Sequence, residues 1–313
     1  MRSTFLLLSL LIGAQTFYIL QKPNSKSHQD ITRLAILRAT GKVCESVDTG
    51  FKTPLPLDSQ TLAEACNRKH FASRFETGIR IISFYNVMRD IANIPGNHPE
   101  EHFDNEKFQE GKQSITSRMK AITEYIEKEE FDKAREELGK VLHTLQDFYS
   151  HSDWIELNYT DPCTALINPE ENIPNAANED METCDDSSNG PSENIKESVI
   201  KGKFLTSGYA RRSRPKGKCS HGGFPDYPDG INKDYSDSSH GSLHNKAADV
   251  SINATVQLLE KIWRSLKTNP ALNFFRLMGL HSEKPKSEWK PLISFFDFKL
   301  RYPDASEDEY VEV

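Results

Sequence analysis

Three residues of this chain, His143, Asp147 and His151, stand four positions apart in Leu142-His143-Thr144-Leu145-Gln146-Asp147-Phe148-Tyr149-Ser150-His151-Ser152-Asp153-Trp154. On a helix, steps of four place them on one stripe. Two imidazoles and a carboxylate are ligands for a borderline cation such as zinc. Similar residues recur at three other places: His28 in Ser27-His28-Gln29-Asp30, His102 and Asp104 in Glu101-His102-Phe103-Asp104, and the i, i+4 pair His240 and His244. One such histidine taken alone is more often structural. Four groups of one type on a helical scaffold point to a metal.

The elements that must carry these residues read as helices. Apolar residues recur at helical spacing over 30–40, 57–66, 71–91, 108–128, 131–149, 243–266 and 272–280. In 131–149 the set Phe131, Ala134, Leu138, Val141, Leu145 and Tyr149 forms one face, with His143, Asp147 and His151 roughly opposite. That stripe is either solvated or buried against a metal. The change from Lys and Glu before residue 140 to His, Asp, Tyr and Trp after it favours burial. Residues 158–241, rich in Asn, Asp, Ser, Pro and Gly, form a loop too long to be a simple connection. No strand-like alternation of any length is present, so the expected fold class is all-α.

A net charge of -7 and a pI near 5.8 argue against a double-stranded nucleic-acid partner. Residues 1–17 read as a signal peptide, with Arg2 before the apolar run Phe5 to Ile12. With no later apolar run long enough to span a bilayer, the expectation is a secreted, extracellular chain with no transmembrane segment. Five cysteines in an oxidising compartment should mostly pair: Cys44 with Cys66, and two of the other three, with Cys184 and Cys219 preferred over Cys163. Asn158-Tyr159-Thr160 is a candidate glycosylation site; Asn253-Ala254-Thr255 matches too but falls in an expected helix. The domain is expected over 18–268, with a partly disordered C-terminal tail over 269–313 whose last residues, 304–313, are acidic. Phe274, Phe275, Leu277 and Met278 could serve a lipid surface but read better as core.

SHQDIT, HFDNEKFQEGK, LHTLQDFYSHSDWIEL, FLTSGY, GKCSHGG, GINKD and HGSLHNKAADVSINAT occur in this order between Ser27 and Thr255. Together they resemble the N-terminal region of the von Willebrand factor A domain-containing protein 7 family, itself similar to the fungal Het-C protein. Long members of that family continue into an A domain whose metal-site signature, D-x-S-x-S, is expected to be absent here. Residues 267–313 leave no room for one, so a free-standing N-terminal module is expected.

More distantly, the chain is similar to the zinc-dependent phospholipases C and single-strand nucleases, which are helical bundles. That resemblance implies one or two zinc ions held by His28, Asp104, His143, Asp147, His151, His240 and His244, with Asp147 or Asp104 orienting an attacking water. His102, Asp153 and His221 would supply supporting hydrogen bonds, and Lys218 and Arg211 would contact a phosphate. The spacing departs from those enzymes: H-x3-D-x3-H replaces H-x3-D-x5-H, and Ala248 stands where a carboxylate is expected. Two functions follow. One is a metal-dependent hydrolase acting on a phospholipid or other phosphoester. The other is a non-catalytic module on the same scaffold that binds an extracellular protein partner.

Overall fold

The computed structural model describes residues 23–92, 98–185, 193–210, 214–223 and 229–283. The expected signal peptide, Arg211 and most of the C-terminal tail lie outside them. The described residues form eight α-helices and no named strand: α1 His28–Val47, α2 Ser59–Ala65, α3 Ala72–Ala92, α4 Phe108–Glu127, α5 Phe131–His151, α6 Glu197–Gly202, α7 His244–Ser265 and α8 Pro270–Met278.

Local chemistry sets the helix starts. A capping box opens α1: Ser27 Oγ accepts from Asp30 N–H, while the Asp30 carboxylate accepts from Ser27 N–H. His28 is thereby fixed in the first turn. Asp58 and Thr61 do the same for α2. Pro270 starts α8 and Gly279, at φ 82°, ends it.

Helix α5 is the central element, packed against α3, α4 and α7, with α1 lying on α7 and α3. Its first half is amphipathic, but every residue from Val141 to His151 is buried. The polar stripe therefore faces protein, not solvent, and the two-sided burial expected from its residue types is what the fold contains. Gly139 sets the spacing to α3, since a Cβ there would lie 2.5 Å from the Ile82 carbonyl oxygen. Only a glycine lets α3 approach closely enough to bring Asn86 and Asp90 alongside His143.

The described part of the 158–241 region lies against the C-terminal end of α5. The Ser152–Ser207 bridge ties it there, and within the region Tyr209 bridges Ser220. It has its own small core of Cys184, Cys219 and Ile231, with Ile195 packed on it. Disulfides join Cys44 to Cys66 and Cys184 to Cys219, and Cys163 is a buried free thiol. Phe274, Phe275, Leu277 and Met278 of α8 are buried in the main core, which removes them as a lipid-facing surface. No described helix is long and apolar enough to cross a membrane.

Candidate metal centre

Asp147 sits at the middle of the buried stripe with no solvent exposure. Its Oδ2 lies 3.0 Å from His143 Nε2, one turn back on α5, and 2.9 Å from His102 Nδ1, from the turn after Pro99–Glu101. The two nitrogens are themselves 3.1 Å apart. Its Oδ1 lies 3.1 Å from His28 Nε2, at the start of α1. Asp90 Oδ1, from the last turn of α3, is 3.5 Å from His143 Nε2.

A network of amides fixes which ring nitrogens face this point. The far nitrogen of His28, Nδ1, is 2.6 Å from Gln146 Oε1, and that of His143 is 3.4 Å from Asn86 Oδ1. Asn86 Nδ2–H donates to Gln146 Oε1 and Thr32 Oγ1, and Gln146 Nε2–H donates to Thr32 Oγ1 and Thr255 Oγ1. With their Nδ1–H groups donated to amide oxygens, His28 and His143 turn Nε2 lone pairs toward a carboxylate. Such an arrangement needs a cation or an added proton between the groups, and outer hydrogen bonds of this kind orient metal-ligating imidazoles.

A second group adjoins the first. His151 Nδ1 is 3.1 Å from Asp104 Oδ1, and His221 Nε2 is 3.7 Å from the same oxygen. Asp104 Oδ1, His151 Nε2 and His221 Nε2 are buried without a hydrogen bond of acceptable geometry. Asp104 is held in a turn flanked by two left-handed residues, Phe103 at φ 55° and Asn105 at φ 56°, a strain of about 1–3 kcal/mol each. The loop region pins that turn: Asn105 N–H donates to Gly208 O, Glu106 N–H to Ser207 Oγ, and Tyr209 OH and the Lys218 ammonium to the Glu106 carboxylate. Three donor sets can thus hold an ion: His28, Asp90 and His143; His102, His143 and Asp147; Asp104, His151 and His221.

The electrostatics follow from burial set against charge. Burial opposes a charge on His28, but its hydrogen bond to Asp147 and the Asp147 and Asp90 charges raise its pKa. His102 is raised in the same way. At His143 burial wins, helped by the neighbouring His28, and its pKa falls to about 3. Burial is outweighed at His151 by the Asp104 and Asp147 charges, which lift its pKa well above the ordinary value. It is outweighed at Asp147 too, where His143 and His151 hold the carboxyl well below the usual range.

The VWA7 N-terminal domain family matches residues 57–272, more than half of the chain. The chain belongs to that family. Von Willebrand factor A domain-containing protein 7 of Homo sapiens is 31% identical over 280 residues, covering 82% of this chain and 31% of its own length. The Rattus norvegicus protein is 31% identical over 286 residues (84% and 31%), and the Mus musculus protein 30% over 259 residues (76% and 29%). The chain therefore spans about a third of the length of these relatives. No solved structure matches.

Of the residues singled out in this VWA7 N-terminal domain, the fold gathers His28, Asp104, His143, Asp147 and His151, and adds His102 and His221 as direct members of the clusters. It does not bring His240 or His244 to them. His240 Nδ1 lies 2.7 Å from Glu156 Oε1 and its Nε2 3.0 Å from Glu193 O. His244 Nδ1 is 2.7 Å from Lys233 O, and its Nε2 accepts from Lys26 N–H. His244 ties the loop region and the segment before α1 to the start of α7, while His240 links Glu156 to Glu193 just before that helix. The Asp153 carboxylate accepts from Thr206 N–H beyond the end of α5, with burial pushing its pKa well up. Lys218 is not a phosphate contact: its ammonium is buried against Glu106 and the Asn178 carbonyl. Cys219 is in a disulfide, Trp154 is core, and Asn158 is exposed at a positive φ.

Sequence reasoning passed over Asp90, although Asn86-x3-Asp90 has the same helical spacing as His143-x3-Asp147. It also passed over Asp234. The D-x-S-x-S spacing does occur, at Asp234, Ser236 and Ser238, but in a loop where Ser236 Oγ bonds Ser25 Oγ, not in an A domain.

Proposed function

We propose that this domain binds one or two divalent transition-metal ions, zinc foremost, at the Asp147 cluster and the adjoining Asp104–His151–His221 group. The observation that carries this reading is the triangle of His102 Nδ1, His143 Nε2 and Asp147 Oδ2, with edges of 2.9, 3.0 and 3.1 Å. Zinc bonds of about 2.0–2.1 Å put tetrahedral ligand atoms about 3.3 Å apart, so a relaxation of a few tenths of an ångström seats an ion. Without an ion, His143 Nε2, whose Nδ1–H is donated to Asn86, meets the Asp147 oxygen lone pair to lone pair.

The chemistry such a centre supports is phosphoester hydrolysis, on a scaffold of the zinc-dependent phospholipase C type. The ions would lower the pKa of a bound water and stabilise charge at phosphorus. Asp104 and His102 would orient that water, being among the more open side chains of the clusters at 16% and 11% exposure. The two disulfides support a secreted protein working in an oxidising compartment.

The test is zinc per chain by plasma mass spectrometry on untagged protein, beside a His143→Ala/Asp147→Ala variant, followed by hydrolysis of bis(4-nitrophenyl) phosphate and phosphatidylcholine vesicles. At least one zinc lost in the variant, with turnover lost alongside, supports the reading; a wild-type protein that holds no metal sinks it. A second reading, a structural metal in a non-catalytic binding module, draws on the zero exposure of His28, His143, Asp147 and His151. Metal retention without turnover would select it.

A further inference from the structure

Asp234 comes from the loop region far along the chain and reaches the end of α5 with 1% exposure. Ser150 Oγ–H donates to its Oδ1 at 2.6 Å, and Lys233 N–H donates to the Ser150 carbonyl, so a backbone and a side-chain contact fix it beside His151. The neighbouring Lys233 ammonium does not neutralise it, because that group is spent on Ser152 O, Ile231 O and Glu156 Oε1.

His151 presents its two nitrogens differently. Nδ1 is 2.9 Å from the His102 carbonyl oxygen, which can only accept, and 3.1 Å from Asp104 Oδ1, so the ring proton is held on that side. Nε2 is fully buried without a hydrogen bond, and Asp234 Oδ1 lies 3.4 Å away. That separation, without the alignment of an N–H···O hydrogen bond, leaves the ring nitrogen unsatisfied. It matches the about 3.3 Å between two ligand atoms on one tetrahedral zinc.

We propose that Asp234 is a metal ligand, sharing one ion with Nε2 of His151, while the His102 carbonyl holds the opposite nitrogen protonated. The inference rests on the metal-binding reading above and extends it by naming a ligand and the coordinating nitrogen. Through Asp234 the loop region supplies a direct donor to the centre, and through Ser150 the stripe on α5 orients it.

The probe is zinc ion alone, titrated into dialysed full-length protein and followed by metal content and by nitrogen NMR of the imidazoles. Wild type is compared with Asp234→Asn, which keeps the acceptor for Ser150, and with Asp234→His, which restores a donor. The expected result is one zinc fewer in Asp234→Asn, or that zinc bound more than about 100-fold more weakly, beyond what loss of an outer hydrogen bond costs. Asp234→His should recover the count. In wild type, zinc should shift the His151 Nε2 resonance and leave Nδ1–H in place. An unchanged count with affinity within about 100-fold in Asp234→Asn, or zinc arriving at Nδ1, would overturn the assignment while leaving the metal centre standing. A wild type without zinc overturns both. Should Asp234→Asn fail to fold, the wild-type resonances decide.

Discussion

Asp147 meets three imidazoles with two oxygens, one toward His28 and one shared by His102 and His143. Asp147→Asn removes the anion and leaves an amide that cannot serve all three. The zinc held by the Asp147 cluster should be lost while the metal-free fold survives, checked by metal analysis beside circular dichroism. A second residue governs pH response away from the centre. Glu76 joins three helices, accepting from Arg33 of α1, Ser59 of α2 and Arg80 of α3. Burial opposes its charge, but these partners hold its pKa down at about 2. A depressed carboxylate stabilises the fold above the ordinary value near 4.5 and loses that contribution as pH falls toward 2. The contribution is on the order of 3 kcal/mol. Urea unfolding at pH 6 and pH 3 should show wild type losing stability across that window, and Glu76→Gln losing much less because it has already lost the contribution. What sequence spacing revealed at this scale was the i, i+4 stripe, since its regularity depends on one helix. Asp90 and Asp234 escaped it because their role depends on contacts between elements that no spacing encodes.

Close approach of α3 to α5 is what lets two helices contribute to one centre. Gly139→Val would drive its side chain into the Ile82 carbonyl and the Tyr85 Cβ, each 2.5 Å from the Cβ position. The expected cost is about 3 kcal/mol, with zinc affinity weakened because Asn86 and Asp90 retreat together from His143. Thermal melts with and without zinc check both effects. The loop region relies on a different device. Its private core is a disulfide and two isoleucines, and His221 follows Cys219 by two residues. The Cys184–Cys219 link closes a separation of 35 residues, which chain entropy values at about 4 kcal/mol. A Cys184→Ser/Cys219→Ser variant should keep the helical signal and the Asp147 cluster but lose the zinc that depends on His221 and Asp234. Hydrogen exchange rising over 193–234 with α5 still protected is the signature. The longer helices were readable because each buries a periodic face, whereas α6, which buries only Val199, fell inside the expected loop. The loop was not, because its order comes from a disulfide and from buried polar pairs such as Lys218 with Glu106 and Lys233 with Glu156.

Across the whole molecule, α8 closes the core. Gly78 of α3 passes so near that a Cβ would lie 2.6 Å from the Met278 carbonyl, and Arg135 of α5 donates to the carbonyls of Leu277 and Arg276. Phe274, Phe275, Leu277, Met278 and Leu280 are each at most 1% exposed. The matched family span stops at residue 272, inside this helix. A protein cut there would keep every residue of the metal clusters and lose the five side chains that seal the bundle. What it would gain is a sticky face: apolar ground on α1, α3 and α5 newly open to water and to other copies. Such a shortened chain should scatter light and sediment as polymer at concentrations where the longer one stays dispersed. The seal thus sets the colloidal behaviour of the molecule, independently of whether any ion is bound.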